Sequence, residues 1–439
     1  MAPAPILILL PAPSADAVVL GLSLAARAEK AARRAGYGGV FVLAAAEGPL
    51  HRAKARRETG VLPDALWRGP PPPLRRGGAQ AAPLANSSPA LVGEGDPAEQ
   101  GGGGGAACSD WGALAGGLAS GAPLVLAPAD ILAERGWLER LAQAPAPPAW
   151  AARSGRLVVV APGSAAEAVG ALGAEDGAAD LAAVEARLAA RFGPPAPLPA
   201  DVDPMRVESA GDLPAAERRL MAALVKDTDG FMARHVERPI SLAISRRLAP
   251  TAITPNQMSL VSIAIGICAG PFFLSARPLM QTVGALLFLA HSILDGCDGE
   301  LARLKFAESR WGGVLDFWGD NVVHVVIFAC MALGWSLSAG SAWPLLAGAG
   351  AVTGTLGSAG FVYWRLMRAS GAFTSVSSGT SAASRALDAA SRRDFIYLVL
   401  VLALLGLSNW FVLLAGIGAP IYFAMVVGLA MREGRGAAG

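Results

Sequence analysis

DGCDGELARLKFAESRWGGVLDFWGD, Asp295 to Asp320, is the stretch that decides the fold of this chain. It sets four aspartates in or beside hydrophobic segments long enough to cross a membrane. Carboxylates at membrane depth are costly and mark functional sites. Here they come as two helix-spaced pairs, Asp295/Asp298 at i, i+3 and Asp316/Asp320 at i, i+4. Each pair therefore shares one face of its helix. Four negative charges converging in a low-dielectric site repel one another unless cations or protons intervene. A divalent-metal site is the natural resolution.

Around this stretch the composition is divided. The chain has 439 residues, 53% of them hydrophobic and 16% charged. From about Met258 onward it holds nearly all the long apolar runs, while the first half is rich in Ala, Gly and Pro. A soluble domain followed by a polytopic membrane domain is expected. The net charge of +2 comes with no Lys/Arg cluster interleaved with aromatics, so no nucleic-acid partner is expected. Cys108, Cys268, Cys297 and Cys330 show neither CxxC spacing nor His partners at zinc spacing, and read as small apolar residues. The N-terminus, MAPAPILILLPAPSADAVVL, has no basic n-region and its apolar run is broken by prolines. It reads as a first strand rather than a signal peptide.

Residues 1–200 are expected to form an α/β domain. Ile6–Leu10, Val40–Leu43, Leu124–Leu126 and Leu157–Val160 suit buried parallel strands. Val18–Ala35 is Ala-rich and helical in pattern, ending at a C′ glycine, Gly36. Arg68–Ala106, with its Pro and Gly runs, is expected to be a long loop or insert. Pro194–Pro204 reads as a linker. Residues 201–250 are expected to hold linker and juxtamembrane helices. In Asp212–Leu248 apolar residues recur at helical spacing beside Arg218, Arg219, Arg234, Arg238, Arg246 and Arg247. That pattern suits helices lying on a membrane surface, or an amphipathic helix packed on the soluble domain.

Residues 251–435 are expected to form a six-helix membrane bundle. Its apolar segments run at about 258–276, 279–297, 312–336, 343–364, 394–408 and 409–431. Arginines and lysines gather in alternate connections and after the last segment, while the other loops carry only Arg277. The positive-inside rule then places both termini in the cytoplasm and the aspartates at the cytoplasmic side of an inner (plasma) membrane.

From Asp298 the run fits D-G-x2-A-R-x8-G-x3-D-x3-D through Asp298, Gly299, Ala302, Arg303, Gly312, Asp316 and Asp320, with Asp295 upstream. This pattern resembles the CDP-alcohol phosphotransferase (CDP-alcohol phosphatidyltransferase) family of membrane enzymes, and six spans resemble its fold. The residues suit that chemistry. Carboxylates hold hard cations such as Mg²⁺ through oxygen. Gly299, Ala302 and Gly312 leave room for a nucleotide against the backbone, and Arg303 offers a planar fork to phosphate. The resemblance implies two Mg²⁺ ions, with Mn²⁺ as the alternative, and Asp295, Asp298 and Asp316 as principal ligands. Asp320 would be the general base, near or on the second metal. It takes a proton from an acceptor hydroxyl, which attacks the phosphorus bearing the donor alcohol, and CMP leaves. A CDP-alcohol donor, an alcohol or phosphorylated polyol acceptor, a lipid bilayer and a homodimer are the implied partners. A transporter built on intramembrane aspartates is the alternative; it does not account for the glycines, Ala302 and Arg303 at fixed spacing.

Upstream, ITPNQMSL (Ile253–Leu260) resembles a family segment near the cytidine diphosphate, with Ser259 where the family carries Thr. Asn256 and Ser259 are accordingly nucleotide-binding candidates, while Pro255 also suits a first helical position. Arg365, Arg368, Arg392 and Arg393 are candidates for an acceptor phosphate, or else charges that set topology. His291 and His324 lie on the aspartate stripes, either orienting carboxylates or packed in the bundle interior.

The layout of the whole chain, and the wording VKDTDGFMARHVERPISLAISRRLAPTAITPNQ, resemble bifunctional inositol-phosphate cytidylyltransferase/di-myo-inositol phosphate phosphate synthase proteins. In these the front domain is a nucleotidyltransferase. LVLAPADIL, with Asp130, resembles the strand carrying its metal aspartate. The glycine-rich phosphate loop that such a domain needs is missing: LLPAPSADAV stands there, with no G-x-G-x-R. A cytidylyltransferase-like domain without catalysis is expected, against the alternative of a bifunctional enzyme with an active front domain.

Overall fold

Ile6–Leu10 reads ILILL, apolar at every position, and all five residues are buried as strand β1. A strand covered on both faces requires this continuous pattern, and each such side chain contributes about 1.5–3 kcal/mol on burial. The computed structural model describes residues 3–42, 121–172, 181–225, 230–369 and 395–436. It falls into two units, Met1–Leu220 and Met221–Gly439, and the division lies within the 201–250 segment. The Arg68–Ala106 insert and Cys108 lie outside the described residues.

In the first unit, β1 pairs in parallel with β4 (Gly39–Val42) and β5 (Leu124–Pro128). Strands β2 (Val18–Val19) and β3 (Leu22–Ser23) form a small hairpin before helix α1 (Leu24–Arg34). The helix expected from Val18 thus starts six residues later. Leu20 and Gly21 both take positive φ, 50° and 82°, the geometry of a two-residue hairpin turn, and Ser23 then caps the helix by accepting from Ala26 N. The C-terminal expectation holds: Gly36 sits at φ +86° just past the last turn.

Beyond β5 lie β6 (Ile131–Leu132), α2 (Arg135–Gln143), β7 (Trp150–Arg153), β8 (Leu157–Val160), α3 (Ala165–Leu172) and α4 (Leu181–Phe192). The strand at Leu157–Val160 is present but antiparallel to β5, which corrects the all-parallel expectation. It forms a hairpin with β7 through a tight turn at Gly155, φ +67°, and a connection that short can only reverse direction. Part of the expected linker is also structured. β9 (Ala196–Pro197) joins β7 as an edge strand, where proline is tolerated. The sheet order is β4-β1-β5-β8-β7-β9. β10 (Met205–Arg206) pairs with β6, and α5 (Leu213–Ala222) follows.

The second unit opens with a π-helical turn, Ala233–Glu237, running into α6 (Arg238–Leu248). Then come α7 (Pro255–Ala269), α8 (Pro278–Lys305), α9 (Arg310–Ala339), α10 (Pro344–Ala369), α11 (Phe395–Leu404) and α12 (Ser408–Gly436). Among the described residues five helical segments are long and apolar enough to cross a membrane: Pro255–Leu274, Pro278–Lys305, Arg310–Ala339, Pro344–Arg365 and Ser408–Gly428. The segment expected at 394–408 yields only α11, ten residues. At 1.5 Å per residue that is about 15 Å, half of a hydrocarbon core of about 30 Å. Among the described residues, five segments meet the length requirement and α11 does not.

The juxtamembrane expectation is modified too. Helix α6 buries Ser241 and Ser245 and leaves Ile240 exposed. Two of the arginines expected at headgroups turn inward: Arg238 pairs with Glu300 at 2.8 Å, and Arg219 in the first unit pairs with Glu134 at 2.5 Å. A core of Phe273, Ala285, Phe288, Val323, Ile327 and Phe328, among others, holds the bundle together. Cys268, Cys297 and Cys330 are free thiols.

Candidate active site

Helix α8 continues past the expected end of its span and carries Asp295, Asp298, Gly299, Ala302 and Arg303 without a break. At 1.5 Å per residue Asp295 lies about 26 Å along the helix from Pro278. Phe306 ends the helix in the left-handed region, φ 55°, and Ala307 N donates to Ala302 O at 2.9 Å. The chain turns, and Ser309 caps α9 by accepting from Gly312 N at 2.9 Å. That start sets Gly312, Asp316 and Asp320 along one stripe at i, i+4, i+8.

Three of the four aspartates come together. Asp295, Asp316 and Asp320 each offer a carboxylate oxygen within 4.8 Å of the others. Asp295 and Asp298 are both 6% exposed. Asp298 accepts a hydrogen bond from Ser259 Oγ on α7 and lines a neighbouring cavity of about 250 Å³. His291 Nε2 lies 3.5 Å from Asp320 Oδ1, while its Nδ1 meets Ser262 O at 2.9 Å. His324 is instead packed among Phe288, Phe328 and Phe395.

That cavity collects every expected nucleotide-binding residue: Asn256, Ser259, Gly299, Ala302, Arg303 and Gly312. Thr254 and Gln257 form a reciprocal capping box that starts α7 at Pro255 and aims Asn256 at the cavity. The two glycines differ in kind. A Cβ on Gly312 would stand 3.0 Å from both Asn256 Oδ1 and Ser309 Oγ, so the protein itself needs that glycine. A Cβ on Gly299 would meet only Arg303 Nη1, at 3.7 Å. Gly299 is not demanded by packing, and the space beside it belongs to the cavity.

Of the expected acceptor arginines, only the Arg365 side chain is among the described residues. Arg365 is half-buried near the end of α10. The Arg368 side chain, Arg392 and Arg393 lie outside the described residues. Sequence reasoning passed over Ser309, Glu308, Ala307 and Gly313, which also line the cavity. Ser309 had a legible signal, a serine just before an apolar helical run. In the first unit Asp130 is fully buried and clamped by Arg206, whose Nε and Nη2 donate to its two oxygens at 3.0 and 2.9 Å.

Two consecutive helices bring carboxylates together beside a cavity lined by glycines, an asparagine and an arginine, the donor types that a divalent cation and a phosphate call for. Residues 252–427 match the CDP-alcohol phosphatidyltransferase family, and the C-terminal part of the chain carries that domain. Among curated proteins it is similar to the bifunctional IPC transferase and DIPP synthase of Archaeoglobus fulgidus, 38% identical over 130 residues, 29% of this chain and 26% of the relative. The protein of the same description from Rubrobacter xylanophilus is 38% identical over 145 residues, 33% of each chain. The archaetidylinositol phosphate synthase of Pyrococcus horikoshii is 32% identical over 99 residues, 23% of this chain and 50% of the relative. The matched part spans about a quarter to a half of the length of these relatives.

Proposed function

We propose that the second unit is a membrane enzyme that transfers a phospho-alcohol group from a CDP-alcohol to a hydroxyl acceptor and releases CMP. The observation that carries this reading is the cavity at Gly299. It lies between the carboxylate cluster and Arg303, it is walled by Asn256 and Ser259, and it is left open by a glycine that packing does not require. The donor set fits divalent ions such as Mg²⁺ or Mn²⁺, because carboxylate oxygens are hard ligands. Asp295, Asp316 and Asp320 would hold the cation, with Asp298 at the cavity side; two ions fit the number of carboxylates. When bound, such ions neutralise the diphosphate and stabilise the attacking and leaving oxygens.

The chain's own residues do the rest. Arg303 holds a phosphate of the donor by charge-assisted hydrogen bonds. Asn256 and Ser259 orient the cytidine diphosphate, and Gly299 and Ala302 let it lie against α8. Asp320 takes the proton of the acceptor hydroxyl. The acceptor oxygen then bonds to the phosphorus bearing the donor alcohol, and the bond from that phosphorus to the CMP oxygen breaks. His291 holds the Asp320 carboxyl in place.

The reading places the bundle in an inner membrane with both termini cytoplasmic, α11 serving as a short sixth helix, and the enzyme acting as a homodimer. Exposed Ile240 and Val236 near the cationic Arg246 and Arg247 support a bilayer contact for the α6 region. The archaetidylinositol phosphate synthase relative supports an inositol phosphate among the candidate acceptors, beside glycerol phosphate and other polyols. CDP-diacylglycerol and CDP-inositol are the candidate donors. In the first unit the Asp130–Arg206 clamp supports a cytidylyltransferase-like domain without catalysis, since a bidentate arginine occupies both carboxylate oxygens.

The test is to incubate membranes holding the chain with each CDP-alcohol and a panel of acceptors, and to detect CMP. Release by wild type and none by Asp320→Asn, with equal expression, is the expected result. Full activity in Asp320→Asn removes the general-base role, and no CMP from any donor removes the functional reading.

A further inference from the structure

Glu300 lies within the motif segment but on the opposite side of α8 from Asp298 and Ala302. Successive helical residues turn by about 100°, so Asp298 and Ala302 lie about 160° round α8 from it. Its side chain is fully buried. Glu300 Oε1 accepts from Arg238 Nη1 at 2.8 Å and from Ser241 Oγ at 2.7 Å, both on α6. One turn earlier Gly296 lets α6 close in: a Cβ there would stand 3.6 Å from Arg238 Nη1 and 3.7 Å from Ser241 Cβ. Cys297 Sγ donates to Ser241 O at 3.5 Å on the same side.

A second fastening lies at the end of α8. Lys305 Nζ donates to Thr251 O at 2.7 Å and to Ile253 O at 2.6 Å. These carbonyls belong to the link between α6 and α7, and the next residues are Thr254, the cap of α7, and Pro255 and Asn256 at the cavity. The stretch that delivers Asn256 and Ser259 is therefore pinned at two points to the helix that delivers Asp295, Asp298 and Arg303. A buried ion pair is a poor device for stability alone, because apolar residues of the same volume often do as well or better. What it supplies is one defined register.

We propose that Glu300, Arg238 and Ser241 are positioning residues that hold α6, and through it the nucleotide wall of Asn256 and Ser259, in register against the carboxylate helix. The proposal rests on the CDP-alcohol reading given above. It makes α6 a part of the donor site although none of its residues lines the cavity.

The test uses the full chain purified in detergent, with KM and kcat for a CDP-alcohol that wild type turns over, CMP binding by calorimetry, and thermal melting. Arg238→Ala is expected to raise the donor KM and the CMP Kd together by about tenfold, with kcat changed much less. Arg238→Lys, which keeps one charged donor, is expected to recover most of that loss. The paired Arg238→Met, Glu300→Leu variant is expected to melt at or above the wild-type temperature and still show the raised KM. A paired variant that folds with wild-type KM reduces the ion pair to packing and overturns the proposal. So does an Arg238→Ala variant with unchanged KM and CMP affinity. A wild-type chain that neither binds nor releases CMP overturns the functional reading as well, whereas unchanged variants of an active wild type overturn the positioning role alone.

Discussion

His291 Nε2 stands 3.5 Å from Asp320 Oδ1, and the same ring is tied by Nδ1 to the carbonyl of Ser262 at 2.9 Å. The imidazole thus bridges α7 and the carboxylate cluster from a buried position, 2% exposed. Residues that orient a metal-binding carboxylate affect affinity by about 10–100-fold. His291→Phe, which keeps a ring stacked near Phe288, is expected to raise the Mg²⁺ concentration for half-maximal CMP release by that factor. An unchanged Mg²⁺ dependence would show that the histidine only fills space.

Gly299 separates stability from function. Alanine in a helix interior is favoured over glycine by about 0.8–1.0 kcal/mol, and the nearest atom to a new Cβ is the movable Arg303 Nη1 at 3.7 Å. Gly299→Ala is therefore expected to melt no lower than wild type while binding CMP at least tenfold more weakly, about 1.4 kcal/mol. Unaltered CMP affinity in a well-folded Gly299→Ala protein would remove the cavity from the donor site. Gly312→Ala should behave in the opposite way. Its Cβ would press on Asn256 Oδ1 and on Oγ of the α9 cap Ser309, both at 3.0 Å, and a loss of about 1–3 kcal/mol of stability is expected.

The carboxylate cluster predicts an unusual response to metal removal. With no cation, Asp295, Asp316 and Asp320 repel one another across less than 5 Å. Mg²⁺ at 100 times its Kd stabilises the folded state by about 2.7 kcal/mol, a Tm shift of roughly 5–10 °C for a unit of this size. Chelation by EDTA should reverse the shift. Asp316→Asn should melt higher than wild type in EDTA and gain little from Mg²⁺, since it removes both the repulsion and a ligand. Equal Tm values with EDTA and with Mg²⁺ in wild type would argue against a cation at this cluster.

In the first unit, Arg206 holds an aspartate that is wholly out of solvent. Removing one partner of a buried pair leaves an uncompensated charge and costs about 3–5 kcal/mol. Arg206→Ala is expected to lower the stability of that unit by this amount in denaturant titrations. Arg206→Ala with Asp130→Ala together should cost much less than the first change alone. A purified front fragment that turns over CTP with a sugar or inositol phosphate would contradict the inactive reading.

Much of the second unit was readable from residue spacing because helices repeat. Asp295/Asp298 and Asp316/Asp320 share faces by arithmetic alone, and capping residues such as Thr254 announce where α7 begins. The length of α11 was not readable, because the apolar run at 394–408 continues through Gly406, where a positive φ of 70° breaks the helix. The inward turn of Arg238 was hidden for a related reason: an arginine on an amphipathic stretch has the same local signature whether it meets a headgroup or a buried glutamate. In the first unit, strand positions followed from apolar runs, but their direction depended on connections. The hairpin at Gly155 reversed β8, and the pair Leu20-Gly21 turned the start of a helical pattern into two short strands.

The left-handed residue Phe306 has a consequence for how this chemistry can vary. By reversing the chain between α8 and α9, it lets one uninterrupted piece of chain, from Asp295 to Asp320, supply all the clustered acidic groups. Asn256 and Ser259, which line the cavity with Gly299, Ala302 and Arg303, come from a separate piece, joined through α6 and α7. Substitutions in the second piece can alter the lining of the cavity without removing any of the acidic groups of the first. The bundle is in this sense modular: one segment carries the clustered acids and another completes the cavity wall.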